Sequence, residues 1–140
     1  MISNWTKRKK IIVGFLAVTT IPMAVILPRL LLELHSANSA FRNFSGALIA
    51  KNYGEAYALT SPELRSTTDY KSFVEIHHGL NSRLGDLTEI AIDRSEVKDK
   101  GDGWYAILDA QMIFARGRLP FTFILKKEHR EWKVYSYHEQ

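Results

Sequence analysis

Residues 11–27 run without a single charged side chain, and four basic residues, Lys7, Arg8, Lys9 and Lys10, stand directly before them. A helix of that length reaches roughly 26 Å at 1.5 Å per residue. Extended to Leu32, past an Arg29 whose long side chain can snorkel, it covers the roughly 30 Å hydrocarbon core of a bilayer. The pattern predicts a transmembrane helix over residues 11–32, because a helix on a soluble domain keeps a polar face and this stretch has none. A cleaved signal peptide is the rival reading. Ala37, Asn38 and Ser39 form a small-residue cleavage site, but signal cores run about 7 to 15 residues and lie closer to their cleavage site. Pro22 and Pro28 are tolerated in lipid and kink such a helix. Residues 33–39 are polar and small, a link that either continues the helix or loops to the domain beyond.

After the link the period is helical. Phe41, Phe44, Ala47 and Leu48 share one face of a first domain helix, which the run Lys51, Asn52, Tyr53, Gly54 breaks. Tyr53, Ala56 and Tyr57 mark a shorter second helix ending near Thr60, Ser61 and Pro62, with Leu64 docking onto it. Thr68 or Asp69 caps a third helix whose face is Phe73, Ile76, His77 and Leu80, with Gly79 or Asn81 closing it.

The second half switches to period two. In residues 104–114 the even positions are Trp104, Ala106, Leu108, Ala110, Met112 and Phe114, an unbroken apolar set. Such alternation predicts a strand with one face on the core. Leu119, Phe121, Phe123 and Leu125 repeat it with Pro120 near the start, Trp132 and Val134 begin another strand, and Ile90 and Ile92 belong to an earlier one. The connections at 100–103, 116–118 and 127–130 are short and turn-rich, so successive strands pair as antiparallel hairpins. The expected fold class is α+β: three helices packed on a four-stranded antiparallel meander, carried on the amino-terminal transmembrane helix.

Charge changes the picture by where it sits. The chain has 140 residues, a formal net charge of +4 and no cysteine. Residues 1–35 hold five Lys or Arg and one Glu, while residues 36–140 hold 14 basic and 14 acidic residues. The whole excess therefore belongs to the membrane-proximal end, where it meets anionic lipid, and the domain offers nucleic acid no phosphate-binding face. Basic residues before a span stay cytoplasmic, so Lys7, Arg8, Lys9 and Lys10 are topogenic. They put residues 1–10 on the cytoplasmic side of the membrane and the domain of residues 40–140 on its outer side, in a periplasm or its equivalent. Without cysteine there are no disulfides, no thiol catalysis and no Cys-ligated zinc.

The run of residues 44–65, with Leu48, Asn52, Tyr53, Ala56, Tyr57, Thr60, Ser61, Leu64 and Arg65, resembles the opening of small bacterial domains of the NTF2-like (cystatin-like) superfamily. Leu84, Gly85, Asp86 and Leu87 match a later element of those domains, and residues 131–137, with Trp132, Val134 and Tyr137, are similar to their last strand. The likeness spans residues 40–137 and rests on core and turn positions. It implies the same α+β architecture, and a superfamily whose members include enzymes, small-molecule binders and many domains that only mediate protein contacts. One anchored relative, the VirB8-like component of type IV secretion, shares the order of basic start, single span and external domain, but is longer.

Candidate chemistry is sparse. His77 and His78 are adjacent, so on a helix they point about 100° apart and cannot chelate one metal as an i, i+4 pair would. His35, His129 and His138 are isolated, and residues 101–103 read as a hairpin turn and not a phosphate loop. No catalytic, metal-binding or cofactor-binding residue is assigned, and no cofactor is expected. The resemblance implies a cavity between helices and sheet, for which Tyr57 and His77 are the candidate polar groups, with Tyr137 able to join them. On the other face of the strand at 104–114, Ile107, Asp109, Gln111 and Ile113 are more apolar than a solvated face requires and form a candidate assembly face. The expected function is a membrane-anchored, non-catalytic interaction domain that binds an envelope protein or pairs with itself. A ligand-binding or enzymatic domain is the alternative.

Overall fold

The computed structural model describes the backbone of residues 2–140 and the side chains of residues 26–140. The chain divides into two compact units, Met1–Glu33 and Leu34–Gln140. Helix α1 (Ile2–Ile49) runs through the residues of the expected link without a break. Lys7, Arg8, Lys9, Lys10 and most of the expected span lie outside the residues whose side chains are described. Among the described residues no helix is long and apolar enough to cross a membrane. In the first unit, Ile26, Leu27, Leu31 and Leu32 are at least half exposed.

The second unit is α+β. Helices α2 (Tyr53–Ala58), α3 (Pro62–Thr67) and α4 (Tyr70–Leu84) follow α1, and then strands β1 (Leu87–Asp99), β2 (Trp104–Phe114), β3 (Gly117–Glu128) and β4 (Glu131–Glu139). The strands form one open antiparallel sheet in the order β1-β2-β3-β4, the meander that the short connections predict. Pro120 is paired within β3, opposite Gln111. Its carbonyl accepts from Gln140 N, so its missing donor points past the end of the β4 pairing.

Each helix starts for a readable reason. Asn52, Ser61 and Asp69 cap α2, α3 and α4, their side chains accepting from the backbone N–H of Glu55, Leu64 and Ser72. Three expectations need correction here. Thr60, Ser61 and Pro62 do not simply end a helix: Ser61 with Pro62 opens the extra turn α3, pre-set by the fixed φ of proline. Helix α4 passes through Gly79 and Asn81 to Leu84, because Asn81 bonds outward to Leu87 N and Tyr53 Oη and does not compete for the helix backbone. Ile76 is also misplaced by the sequence reading; it is 48% exposed, and the buried face of α4 is Phe73, His77 and Leu80.

The core lies between α1 and the inner sheet face. Phe41, Phe44, Phe73, Phe123, Leu48, Leu108, Met112, Leu125 and Val134 are fully buried. Each such side chain removed from water contributes about 1.5–3 kcal/mol. The rings interlock, with Phe41 at 4.8 Å and Phe44 at 6.3 Å from Phe123. The even residues of β2 from Ala106 to Phe114 face this core as the alternation requires. At one edge, residues 59–61 pair with β4 around Val134, leaving β1 as the edge without a neighbour among the described residues.

Candidate functional site

His77 comes from the buried face of α4 and Tyr137 from the inner face of β4, opposite Phe123. Their polar atoms meet, His77 Nε2 lying 2.9 Å from Tyr137 Oη. The imidazole is 4% exposed and set among rings, stacked with Tyr53 at 6.0 Å and edge-on to Phe73 at 4.7 Å. Burial, and then the neighbouring His78, lowers its pKa to about 4. Burial raises the pKa of the Tyr137 hydroxyl. At neutral pH the pair is thus an uncharged imidazole and an uncharged phenol, with the phenol donating to Nε2 when the ring proton is on Nδ1.

Tyr57, the other nominated cavity group, does not join them. Its ring packs on Tyr70 and Phe73, each at 5.4 Å, and its hydroxyl donates to the Thr68 carbonyl at 2.9 Å. Tyr57 and His77 both touch Phe73 but direct their polar atoms to different partners.

The candidate assembly residues share the outer sheet face and are half-buried. Ile107 lies across from Ile124, and Ile113 lies between Glu89 and Arg118. Asp109 accepts from Thr122 Oγ1 at 2.8 Å and from Gln140 Nε2 at 3.2 Å, and Gln111 donates to Asp93 at 3.1 Å. These polar atoms are spent within the sheet, and Ile107 and Ile113 are the apolar positions of a face that also carries Glu96 beside Ile107, Glu89 and Arg118 beside Ile113, and Lys126 beside Tyr105. Tyr105, on the same face, is buried, with Lys100 and Lys126 over its ring at 4.8 and 5.6 Å and Tyr135 edge-on to it at 6.0 Å.

Three depressions were not legible in the sequence. One of about 250 Å³ is lined by Lys51, Tyr53, His78, Asn81, Ser82 and Asp86. Lys51 and Asp86 form an ion pair of 2.8 Å across it, which raises the lysine pKa. The other two flank α1. A groove of about 440 Å³ separates α1 from β1, with Phe41, Ile49, Ile90 and Ile92 in its walls. Ser45 lines it too, and its buried hydroxyl has no hydrogen-bond partner. A hollow of about 470 Å³ separates α1 from the β3–β4 hairpin. Among the described residues, no group of three His, Asp or Glu side chains is placed to hold a metal ion.

No protein-family model matches this chain, and no curated protein matches it significantly.

Proposed function

We propose that this chain is a single-pass, membrane-anchored, non-catalytic interaction domain of the NTF2-like kind, held outside the cytoplasmic membrane. It binds an envelope protein or a second copy of itself through the outer sheet face around Ile107, Asp109, Gln111 and Ile113. The observation that carries this reading is the closed His77–Tyr137 pair, whose polar atoms satisfy each other among aromatic rings, while Ile107 and Ile113 stand half-buried on the outer sheet face. The exposed Ile26, Leu27, Leu31 and Leu32 support the anchor, since large apolar side chains on a helix are stable in lipid and costly in water.

The alternative, a domain that binds or transforms a small ligand, is favoured by the groove between α1 and β1 and by the unpartnered Ser45 hydroxyl in its wall.

Because the chain has no cysteine, one substitution provides both tests. Ile107→Cys in the full-length protein in cells is expected to react with a membrane-impermeant maleimide from outside. A short bifunctional maleimide is expected to join it to a protein or to its own copy, whereas Glu75→Cys on α4 labels but does not cross-link. Labelling of Ile107→Cys only after cell lysis would overturn the placement, and equal cross-linking from both positions would overturn the face.

A further inference from the structure

Strand β1 is the open edge of the sheet, and its charges fall in a self-complementary order. Ile90, Ile92, Ser95 and Val97 lie opposite Met112, Ala110, Leu108 and Ala106 and so face inward, while Glu89, Ala91, Arg94, Glu96 and Lys98 lie opposite outer-face residues. Asp93 is the extra residue of a bulge between Ile92 and Arg94, and its carboxylate accepts from Gln111 on the outer face. Two consecutive residues, Asp93 and Arg94, therefore lie on the outer face with opposite charge.

A second β1 laid antiparallel along this edge is related to the first by a two-fold axis. With the axis between residues 93 and 94, Asp93 meets Arg94 of the second copy, Glu89 meets its Lys98, and Ala91 meets its Glu96, all on the outer face. On the inner face Ile90 meets Val97 and Ile92 meets Ser95. A regular strand could not pair in this register, because an inner residue would meet an outer one; the bulge shifts the phase by one residue and brings like faces together. Slipping by two residues either way sets Glu89 or Asp93 against Glu96 of the second copy, like charge against like. Glu96 is already answered within its own strand by Arg94 at 4.0 Å and Lys98 at 3.5 Å, so opposite Ala91 it needs no other partner. Helix α1 stands off this edge across the groove of about 440 Å³, which leaves the inner side open at Ile90 and Ile92. Charges on an edge deter an added strand unless its own charges run in the complementary order. We infer that β1 is a pairing edge for a second copy of this chain, joining the two four-stranded sheets into one continuous sheet in this register.

This contact is separate from the outer face of the proposed function and does not rest on it. Exposed ion pairs gain little in water, so the ladder is a weak contact that trapping reads and sedimentation at high micromolar concentration does not. The test uses two differently tagged full-length chains in detergent, one with Glu89→Cys and one with Lys98→Cys, treated with a short bifunctional maleimide. Cross-linking is expected in the mixture and not in either chain alone, since like positions stand about 30 Å apart along the ladder. Asp93→Lys added to both chains should abolish it, and so should Arg94→Glu added to both. Asp93→Lys in one chain with Arg94→Glu in the other should restore it, and that rescue also shows both variants to be folded. Ile107→Lys in both chains should leave the cross-link in place. Absence of cross-linking in the mixture, equal cross-linking from one chain alone, persistence in either like-charged pair, or no rescue would each overturn the pairing edge and leave the outer-face reading standing. Loss with Ile107→Lys would overturn it too, by assigning the contact to the outer face.

Discussion

His77 Nε2 and Tyr137 Oη stand 2.9 Å apart across sixty residues of sequence, joining α4 to β4 through a hydrogen bond among rings. Burial depresses the imidazole pKa to about 4 from an ordinary 6.5. Below pH 6.5 the unfolded chain therefore takes up a proton that the folded chain refuses. The contribution to stability is complete above pH 6.5, declines as the pH falls towards 4, and changes no further once both states are protonated. A gap of this size corresponds to roughly 3 kcal/mol. Urea denaturation of the Leu34–Gln140 unit should show this loss between pH 6.5 and 4, and His77→Gln, which does not titrate, should flatten it. An unchanged slope in the variant would assign the pH dependence elsewhere.

Removing only the hydroxyl makes a narrower test. Tyr137→Phe preserves the ring stacking on Phe123 at 5.5 Å and leaves His77 Nε2 without its partner. An orphaned buried polar atom costs about 1–3 kcal/mol, and that loss is the expected change in unfolding free energy at pH 7. If the double variant with His77→Gln loses the sum of the two single losses, the groups are not coupled.

Gly85 ends α4 at φ +81° and ψ −177°, a region almost confined to glycine. A Cβ there would come within 2.8 Å of the Ala115 Cβ in the β2–β3 turn. That turn is tied to the helix end, with Ala115 N bonded to Asp86 O and Arg116 N to Leu84 O. Gly85→Ala should destabilise by about 1–3 kcal/mol through backbone strain, with the clash adding to it. Gly79→Ala, where the new Cβ meets nothing within 4 Å, should be neutral or stabilising. Thermal melts of the two variants separate the effects.

The meander was legible because β2 and β3 bury one face fully and leave the other only half-buried, which leaves period two in the residues from Trp104 to Leu125. Strand β1 was legible only at Ile90 and Ile92: it is an edge, and its thirteen residues include Glu89, Asp93, Arg94, Glu96 and Lys98, as an edge open to solvent allows. Ile76 deceived because it lies at helical spacing from Phe73 and Leu80, yet the packing surface on α4 is narrow and centred on His77. Tyr57, His77 and Tyr137 could be nominated by type, but pairing across sixty residues leaves no local trace. The flanking hollows arise from where α1 crosses the sheet, which no single segment encodes.

On the outer sheet face, Ile107 and Ile124 face each other across β2 and β3 with Thr122 and Asp109 beside them. Under the proposed function, sedimentation of the Leu34–Gln140 unit should show a monomer–dimer equilibrium in the high micromolar range. Ile107→Lys should abolish it by placing like charges against each other in a two-fold interface. The substitution sits on a half-buried face, so unfolding free energy should change by less than about 1 kcal/mol. A clean monomer for the unsubstituted unit would remove self-assembly and leave a different envelope protein as the partner.

Orientation is the remaining prediction, and it turns on charge alone. Lys7, Arg8, Lys9 and Lys10 precede the apolar run, and between it and the domain only Arg29 and Glu33 carry charge, so the bias of basic residues is almost wholly on the amino side. A carboxyl-terminal alkaline phosphatase fusion, active only outside the cytoplasm, should therefore be active, and a fusion to a reporter that works only in the cytoplasm should be silent. Replacing the four basic residues with Glu should shift activity from the first fusion towards the second. The shift separates two explanations of an external domain: a retained charge flank acts through the sign of residues 7–10, whereas a domain exported by other means would be indifferent to it. A silent phosphatase fusion in the unsubstituted chain, with the cytoplasmic reporter active, would place the Leu34–Gln140 unit inside the cell and turn the search for its partner there.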